Sequence, residues 1–199
     1  MGKKKRKKIK FSYSNQWEQT FCKEFEKESD RACVILSAAM LDQALETLLK
    51  AYLVSTSSKE DDFLEGIYAP ISSFSAKIDL SFRIGLISAK FCRDLHLIRK
   101  IRNEFAHSIT NCDFQNESIH RRVLELRRSS TFIDRHPTTR KSFVSGVKGD
   151  FEMTVSWMLF YLGKLIEVTE SLDAAEEEFG YTTEFFERKK GKKLTKRRK

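Results

Sequence analysis

Three hydrogen-bonding side chains stand near the end of a segment whose apolar residues recur at helical spacing. Arg102, Asn103 and His107 lie in the run HLIRKIRNEFAHSIT, residues 96–110. Histidine suits proton transfer near neutral pH, arginine suits a phosphate or a developing oxyanion, and asparagine can orient either. Such a trio can cleave RNA without a metal, with the 2′-hydroxyl as nucleophile. These three residues are therefore the candidate catalytic group if the protein is a metal-independent endoribonuclease.

A structural interpretation competes with this chemistry. Five residues along a helix correspond to roughly 140° of rotation, so Arg102 and His107 point apart on an ideal helix. They would converge only if the helix ends or bends there, or if a second protomer packs against it. Otherwise Arg102 forms a buried ion pair and His107 caps a helix end, and spacing alone favours that interpretation.

Arg102 also occupies a position where a core helix needs an apolar residue. It falls within the stripe formed by Phe91, Leu95, Ile98 and Phe105. A guanidinium there is costly unless it is paired or borders a wet cleft.

A polar group in the first long helix offers such a partner. Glu28, Asp30 and Arg31 interrupt the apolar pattern of that helix. We therefore predict that Glu28 or Asp30 lies within hydrogen-bond reach of Arg102, with the three polar residues forming a supporting network.

The elements that must position these residues are helical. Only two prolines and eight glycines occur, and 40% of the residues are hydrophobic. This composition favours long helices in one domain with a real core. We predict an all-α protein, a single helical bundle with long first and last helices, and we find no convincing strand.

Capping residues and glycines set the expected helix boundaries. The first helical pattern runs from about residue 15 to 54, as one helix or as two joined near Ser29. A second helix ends at Gly85, and Ser88 caps a third over 89–107. A short amphipathic helix follows in ESIHRRVLELRR. After a loop over 129–149, Asp150 is predicted to cap a final helix that continues to about residue 178.

The positive charge is concentrated at the two ends of the chain. Residues 2–10 and 188–199 hold 16 of the 37 basic residues and no acid, which leaves 21 basic against 28 acidic residues between them. We divide the chain into a disordered basic arm (1–10), a helical domain (11–187) and a second disordered basic arm (188–199). The residues predicted to contact nucleic acid are Lys3, Lys4, Lys5, Arg6, Lys7, Lys8, Lys189, Lys190, Lys192, Lys193, Lys196, Arg197, Arg198 and Lys199.

Such arms attract polyanions, which include nucleic acid, an anionic membrane surface and acidic protein. The alternative is that they are solvated tails that aid solubility. In a eukaryote they would also serve as nuclear localisation signals.

Cysteine and histidine placement predicts no metal site and no cofactor. The four cysteines form no CxxC pair, and no His/Cys cluster has zinc spacing. They are expected to be buried thiols in a reducing compartment. Because no signal sequence and no apolar run long enough to span a bilayer is evident, we expect a cytoplasmic protein.

Three consecutive segments resemble a known family. They are ESDRACVILSAAMLDQALETLL (28–49), FLEGIYAPISSFSAKIDLSFRIGLIS (63–88) and DLHLIRKIRNEFAH (94–107). In order and spacing they are similar to the mannitol operon repressor (MltR-type) family, over roughly residues 15–128. The resemblance implies an all-α bundle and a role in bacterial transcriptional regulation through protein partners, without a helix-turn-helix module.

The Arg102–Asn103–x3–His107 element also resembles the RX4–6H motif of HEPN ribonucleases, which are helical and often dimeric. That resemblance implies catalytic roles for Arg102 and His107, with Asn103 as the polar residue that follows the arginine. The sequence thus favours a regulatory protein of the mannitol-repressor type, with a protein partner, nucleic-acid contacts through the arms and a possible homodimer. A HEPN-like endoribonuclease of toxin or defence type is the alternative, and a non-catalytic interaction module is the third.

Overall fold

The computed structural model describes residue 25 and residues 28–56, 58, 61–108, 112–129 and 143–174. These ranges contain helices and no strand, which confirms the all-α prediction. The helices are α1 (Asp30–Tyr52), α2 (Phe74–Arg83), α3 (Ala89–His107), α4 (Glu117–Ser129) and α5 (Val147–Val168). The predicted helix start near residue 15 and both basic arms lie outside the described residues.

α1 begins where a serine interrupts the helical pattern. Ser29 is extended, and its hydroxyl accepts a hydrogen bond from the backbone N–H of Ala32 at 3.2 Å. Phe25, four residues earlier, is again helical, so of the two predicted alternatives the break near Ser29 is the one observed. The capping hydroxyl satisfies one of the unpaired N–H groups that every helix start exposes.

Serine hydroxyls also fix the starts of α2 and α3. Ser73 accepts from the N–H of Ala76 at 3.1 Å, and Ser88 accepts from the N–H of Phe91 at 3.2 Å. Between the two helices Gly85 adopts a φ of +81°, which an L side chain rarely tolerates. The predicted α3, residues 89–107 with Ser88 as cap, is confirmed.

The last helix differs from the prediction at both ends. α5 begins at Val147 after Gly146, so Asp150 lies within the first turn and does not cap the helix. The Asp150 carboxylate is buried there and accepts a hydrogen bond from Arg127 on α4 at 3.1 Å. The helix ends at Val168 and not near residue 178, because the chain then extends and the Leu172 N–H donates to the Tyr52 carbonyl at 2.7 Å.

The core lies between α1, α3 and α5. α1 packs against α2, α3 and α5, while α4 packs against α3 and α5. The fully buried residues that meet there include Leu41, Leu45, Leu95, Ile98, Phe151 and Leu159. Each side chain of this kind contributes roughly 1.5–3 kcal/mol when it leaves water. The bundle therefore holds α3, which carries the candidate residues, along most of its length.

α1 is, within the described residues, the one helix long and apolar enough to cross a membrane by composition. Half of its most apolar window is buried inside the bundle. It also carries Asp42 and Glu46, which pair with Lys77 of α2. These are properties of a core helix, so its length and hydropathy are weak evidence for a membrane span.

Candidate functional site

The end of α3 carries the three candidate catalytic residues, with Arg102 and His107 on different sides of the helix. Arg102 and Asn103 are half-buried, whereas His107 in the last turn is exposed. α3 runs without interruption to His107, and Ser108 forms its C-cap. The three side chains form no hydrogen bond with one another. Within one chain Arg102 and His107 therefore point apart, as the ideal helix predicts.

The predicted ion pair between Arg102 and the first helix is wrong. Neither Glu28 nor Asp30 forms a salt bridge or hydrogen bond with the Arg102 guanidinium. Asp30 is engaged elsewhere, since one carboxylate oxygen accepts from the Phe114 N–H at 3.1 Å and the other lies 3.5 Å from Lys148 Nζ. Arg102 is half-buried, so its guanidinium does not need an acid in the interior as a fully buried one would.

The predicted supporting residues do gather beside the end of α3, in a different role. The Arg31 guanidinium donates to the carbonyl of Ser108, the α3 C-cap, at 2.6 Å. A cation at a helix C-terminus stabilises the unpaired carbonyls and the negative end of the helix dipole. Lys148 joins the same group, because its Nζ donates to the Glu28 carbonyl at 2.8 Å. The network thus ties the starts of α1 and α5 to the end of α3.

Phe114 completes this end of the bundle. Its ring centroid lies 5.6 Å from Phe105 and 5.3 Å from Phe151, in tilted arrangements that aromatic pairs prefer. Its backbone N–H is the donor to Asp30. Phe114 is therefore anchored to the end of the bundle by one hydrogen bond and two ring contacts.

A buried ionic network joins α1 to α2 near the other end of α1. Lys77 Nζ lies 2.9 Å from Asp42 Oδ1 and 2.8 Å from Glu46 Oε2, and the lysine side chain is only 5% exposed. Glu46 also pairs with Lys50 at 2.8 Å, and Lys50 pairs with Glu65 of the following loop. Burial alone would raise the pKa of Glu46, but hydrogen bonds from Lys50 and Lys77 outweigh it and hold that pKa below its usual range.

The loop after α1 presents two almost fully exposed large side chains. Ile67 is 93% and Tyr68 is 98% exposed, whereas Leu64 and Ala69 on either side are buried. The loop is closed by a hydrogen bond from the Ile71 N–H to the Phe63 carbonyl at 3.1 Å. We call Ile67 and Tyr68 the apolar tip. Single exposed hydrophobic residues are common, whereas two adjacent ones on an anchored loop form a candidate contact surface.

One cluster of possible metal ligands was missed at the sequence level. Asp79 of α2 and Cys92 and His96 of α3 place their ligand atoms within 4.8 Å of one another. Cys92 and His96 are four residues apart and so share one face of α3, which was a usable signal. The aspartate comes from another helix, and only the packing of α2 against α3 reveals it.

No family model and no curated protein matches this chain. A chain in the X-ray structure of the MtlR–HPr complex from Escherichia coli has a similar fold, with a TM-score of 0.55 and 15% sequence identity. The match covers 77% of this chain and 99% of that chain. At this identity the likeness shows a shared fold.

Proposed function

We propose that this chain is a bacterial regulatory protein of the mannitol-repressor type, which acts in the cytoplasm through a protein partner. The observation that carries the proposal is the match to a whole chain of the MtlR–HPr complex, whose name is that of a mannitol operon regulator. The three sequence segments that resemble the same family agree with it. The resemblance implies control of transcription and not the identity of the operon.

The partner we propose is an HPr-type protein, since the similar chain was solved in complex with HPr. The apolar tip is the surface we assign to it. Binding energy at interfaces concentrates in a few aromatic and large apolar side chains that enter a pocket of the partner. Tyr68 and Ile67 meet that description, and their loop is already ordered by Leu64, Ala69 and the Lys50–Glu65 pair. An ordered loop lowers the entropic cost of association.

The basic arms add a second contact in this proposal. Each is a short run of lysine and arginine without acid, which suits sequence-independent contact with phosphates. The partner would then decide when the protein acts, while the arms keep it near nucleic acid.

The proposal is tested in the cell by gene deletion and complementation. We expect deletion to change the transcript level of a small set of sugar-uptake genes, and the wild-type gene to restore it. A gene carrying I67D and Y68D should not restore it, whereas V168D, at a 73% exposed position of α5, should. Unchanged transcripts after deletion would refute the regulatory role. Full complementation by the tip variant would refute the assigned surface.

A further inference from the structure

We propose that Asp79, Cys92 and His96 form a binding site for a divalent transition-metal ion of the zinc class, which clamps α2 to α3. Each residue supplies one ligand atom of a type that zinc accepts: a carboxylate oxygen, a thiolate sulfur and an imidazole nitrogen. Among the described residues this is the one cluster of at least three such groups close enough to share an ion.

The distances fit a tetrahedral ion after small side-chain movements. His96 Nε2 lies 3.0 Å from Asp79 Oδ1, and all three ligand atoms lie within 4.8 Å of one another. Zinc bonds of roughly 2.0–2.3 Å place neighbouring tetrahedral ligands about 3.3–3.6 Å apart. Rotation of the Cys92 and His96 side chains supplies the adjustment, because both stand on one face of α3.

The surroundings allow an ion to reach the three ligands from solvent. They also leave one coordination position of the ion open. The side chain of Asp79 is 61% exposed and that of His96 is 24% exposed, while Cys92 is buried beneath them. His96 Nδ1 is buried and has no hydrogen-bond partner in the described part of the chain. With three protein ligands and solvent on one side, the fourth position would hold water.

The chemistry of binding is one deprotonation. Burial, and secondarily the charge of Asp79, raises the pKa of the Cys92 thiol, so the thiol is protonated at neutral pH. Zinc binds the thiolate, and the thiol proton passes to solvent. His96 offers Nε2, which lies 3.0 Å from Asp79 Oδ1, as the nitrogen ligand.

Cobalt titration of the full chain provides the test, because Co²⁺ bound to a thiolate gives a charge-transfer absorption band. We expect one ion per chain with this band, its displacement by Zn²⁺, and its loss in C92S. D79N and H96Q should weaken binding about ten-fold or more. The matched controls C112S and H107Q should bind as the wild type does.

Several results of the cobalt titration would contradict the proposed metal site. Absence of the band in the wild type, its persistence in C92S, or its loss in C112S would each overturn the assignment. Because the Asp79 side chain is exposed, D79N should fold as the wild type does. Circular dichroism verifies the fold of every variant.

Discussion

Lys77 is the buried charge on which we expect stability to depend most. It is nearly inaccessible and sits between Asp42 and Glu46. Removing one partner of a buried pair typically costs 3–5 kcal/mol, because the remaining charge is left uncompensated. Glu46 still pairs with Lys50 when Lys77 is replaced, so the loss should lie at the lower end of this range. We expect K77M to lower the free energy of unfolding by about 3 kcal/mol in urea denaturation.

The matched control is K164M. Lys164 pairs with Glu167 at 2.9 Å on the surface, with half of its side chain exposed. Such a pair contributes about 1 kcal/mol or less. Equal losses in K77M and K164M would contradict the importance of the buried network.

Glu46 gives the network a defined pH dependence. Its pKa is lower in the folded chain than in the unfolded one, so the associated stability is present above the unfolded pKa and is lost as the pH falls through the folded pKa. We expect E46Q to be less stable than the wild type at pH 7 and the difference to shrink below about pH 4. Urea denaturation from pH 7 to pH 3 measures this, and a constant difference would contradict it.

His107 separates the regulatory account from the nuclease alternative. The side chain is exposed and has no partner among the residues that the structure describes, so H107A should change the free energy of unfolding by less than about 0.5 kcal/mol. We expect the wild type to show little RNA cleavage in EDTA. If the wild type instead leaves 2′,3′-cyclic phosphate ends and a folded H107A does not, the nuclease reading is correct and Arg102 must meet His107 across a dimer.

We expect a single substitution at a helix cap to destabilise the whole helix that begins there. Ser88 starts α3, which bears His107, Arg102 and the proposed metal ligands. Loss of a capping hydroxyl typically costs about 1 kcal/mol. S88A should therefore lower the free energy of unfolding by about that amount. The control S72A, which changes an exposed loop residue, should leave the free energy of unfolding unchanged. Equal effects in thermal unfolding would show that the cap is not the cause.

The same elements show what the sequence can and cannot predict. Local signals sufficed for α2 and α3, because serine caps and Gly85 act within a few residues, and for α4, because its amphipathic pattern is equally local. The predicted end of α5 was wrong because the hydrogen bond from Leu172 to Tyr52 joins distant segments of the chain. The buried face of α1 also depends on its neighbours, since Leu36 is 46% exposed while Cys33 and Leu41 are buried. An apolar helix offers several plausible faces, and only its neighbours choose one.

In the candidate site, too, local geometry could be predicted from the sequence and contacts between distant helices could not. Spacing correctly predicted that Arg102 and His107 diverge on α3, because that depends on helix geometry alone. The pairing of Asp30 with Lys148, and the approach of Asp79 to Cys92, depend on how distant helices pack. Charge pattern offers several partners for each such group, and tertiary packing selects among them.

At the scale of the whole molecule, the arms and the domain have opposite charge. We expect deletion of residues 2–10 and 188–199 to leave a folded acidic domain that DNA and RNA no longer retain. Binding by the intact chain should tolerate changes of sequence and fall steeply with salt, since it rests on phosphate contacts. Filter binding at two salt concentrations measures both properties, and undiminished binding by the truncated protein would place the contact on the domain.

We propose that this fold acts through a protein partner of the HPr type, and calorimetric titration of the intact chain with purified HPr tests the proposal most directly. We predict saturable one-to-one binding that Y68A weakens at least ten-fold, about 1.4 kcal/mol, and that V168A leaves unchanged. Absence of heat and of complex formation with the wild-type chain would contradict the account.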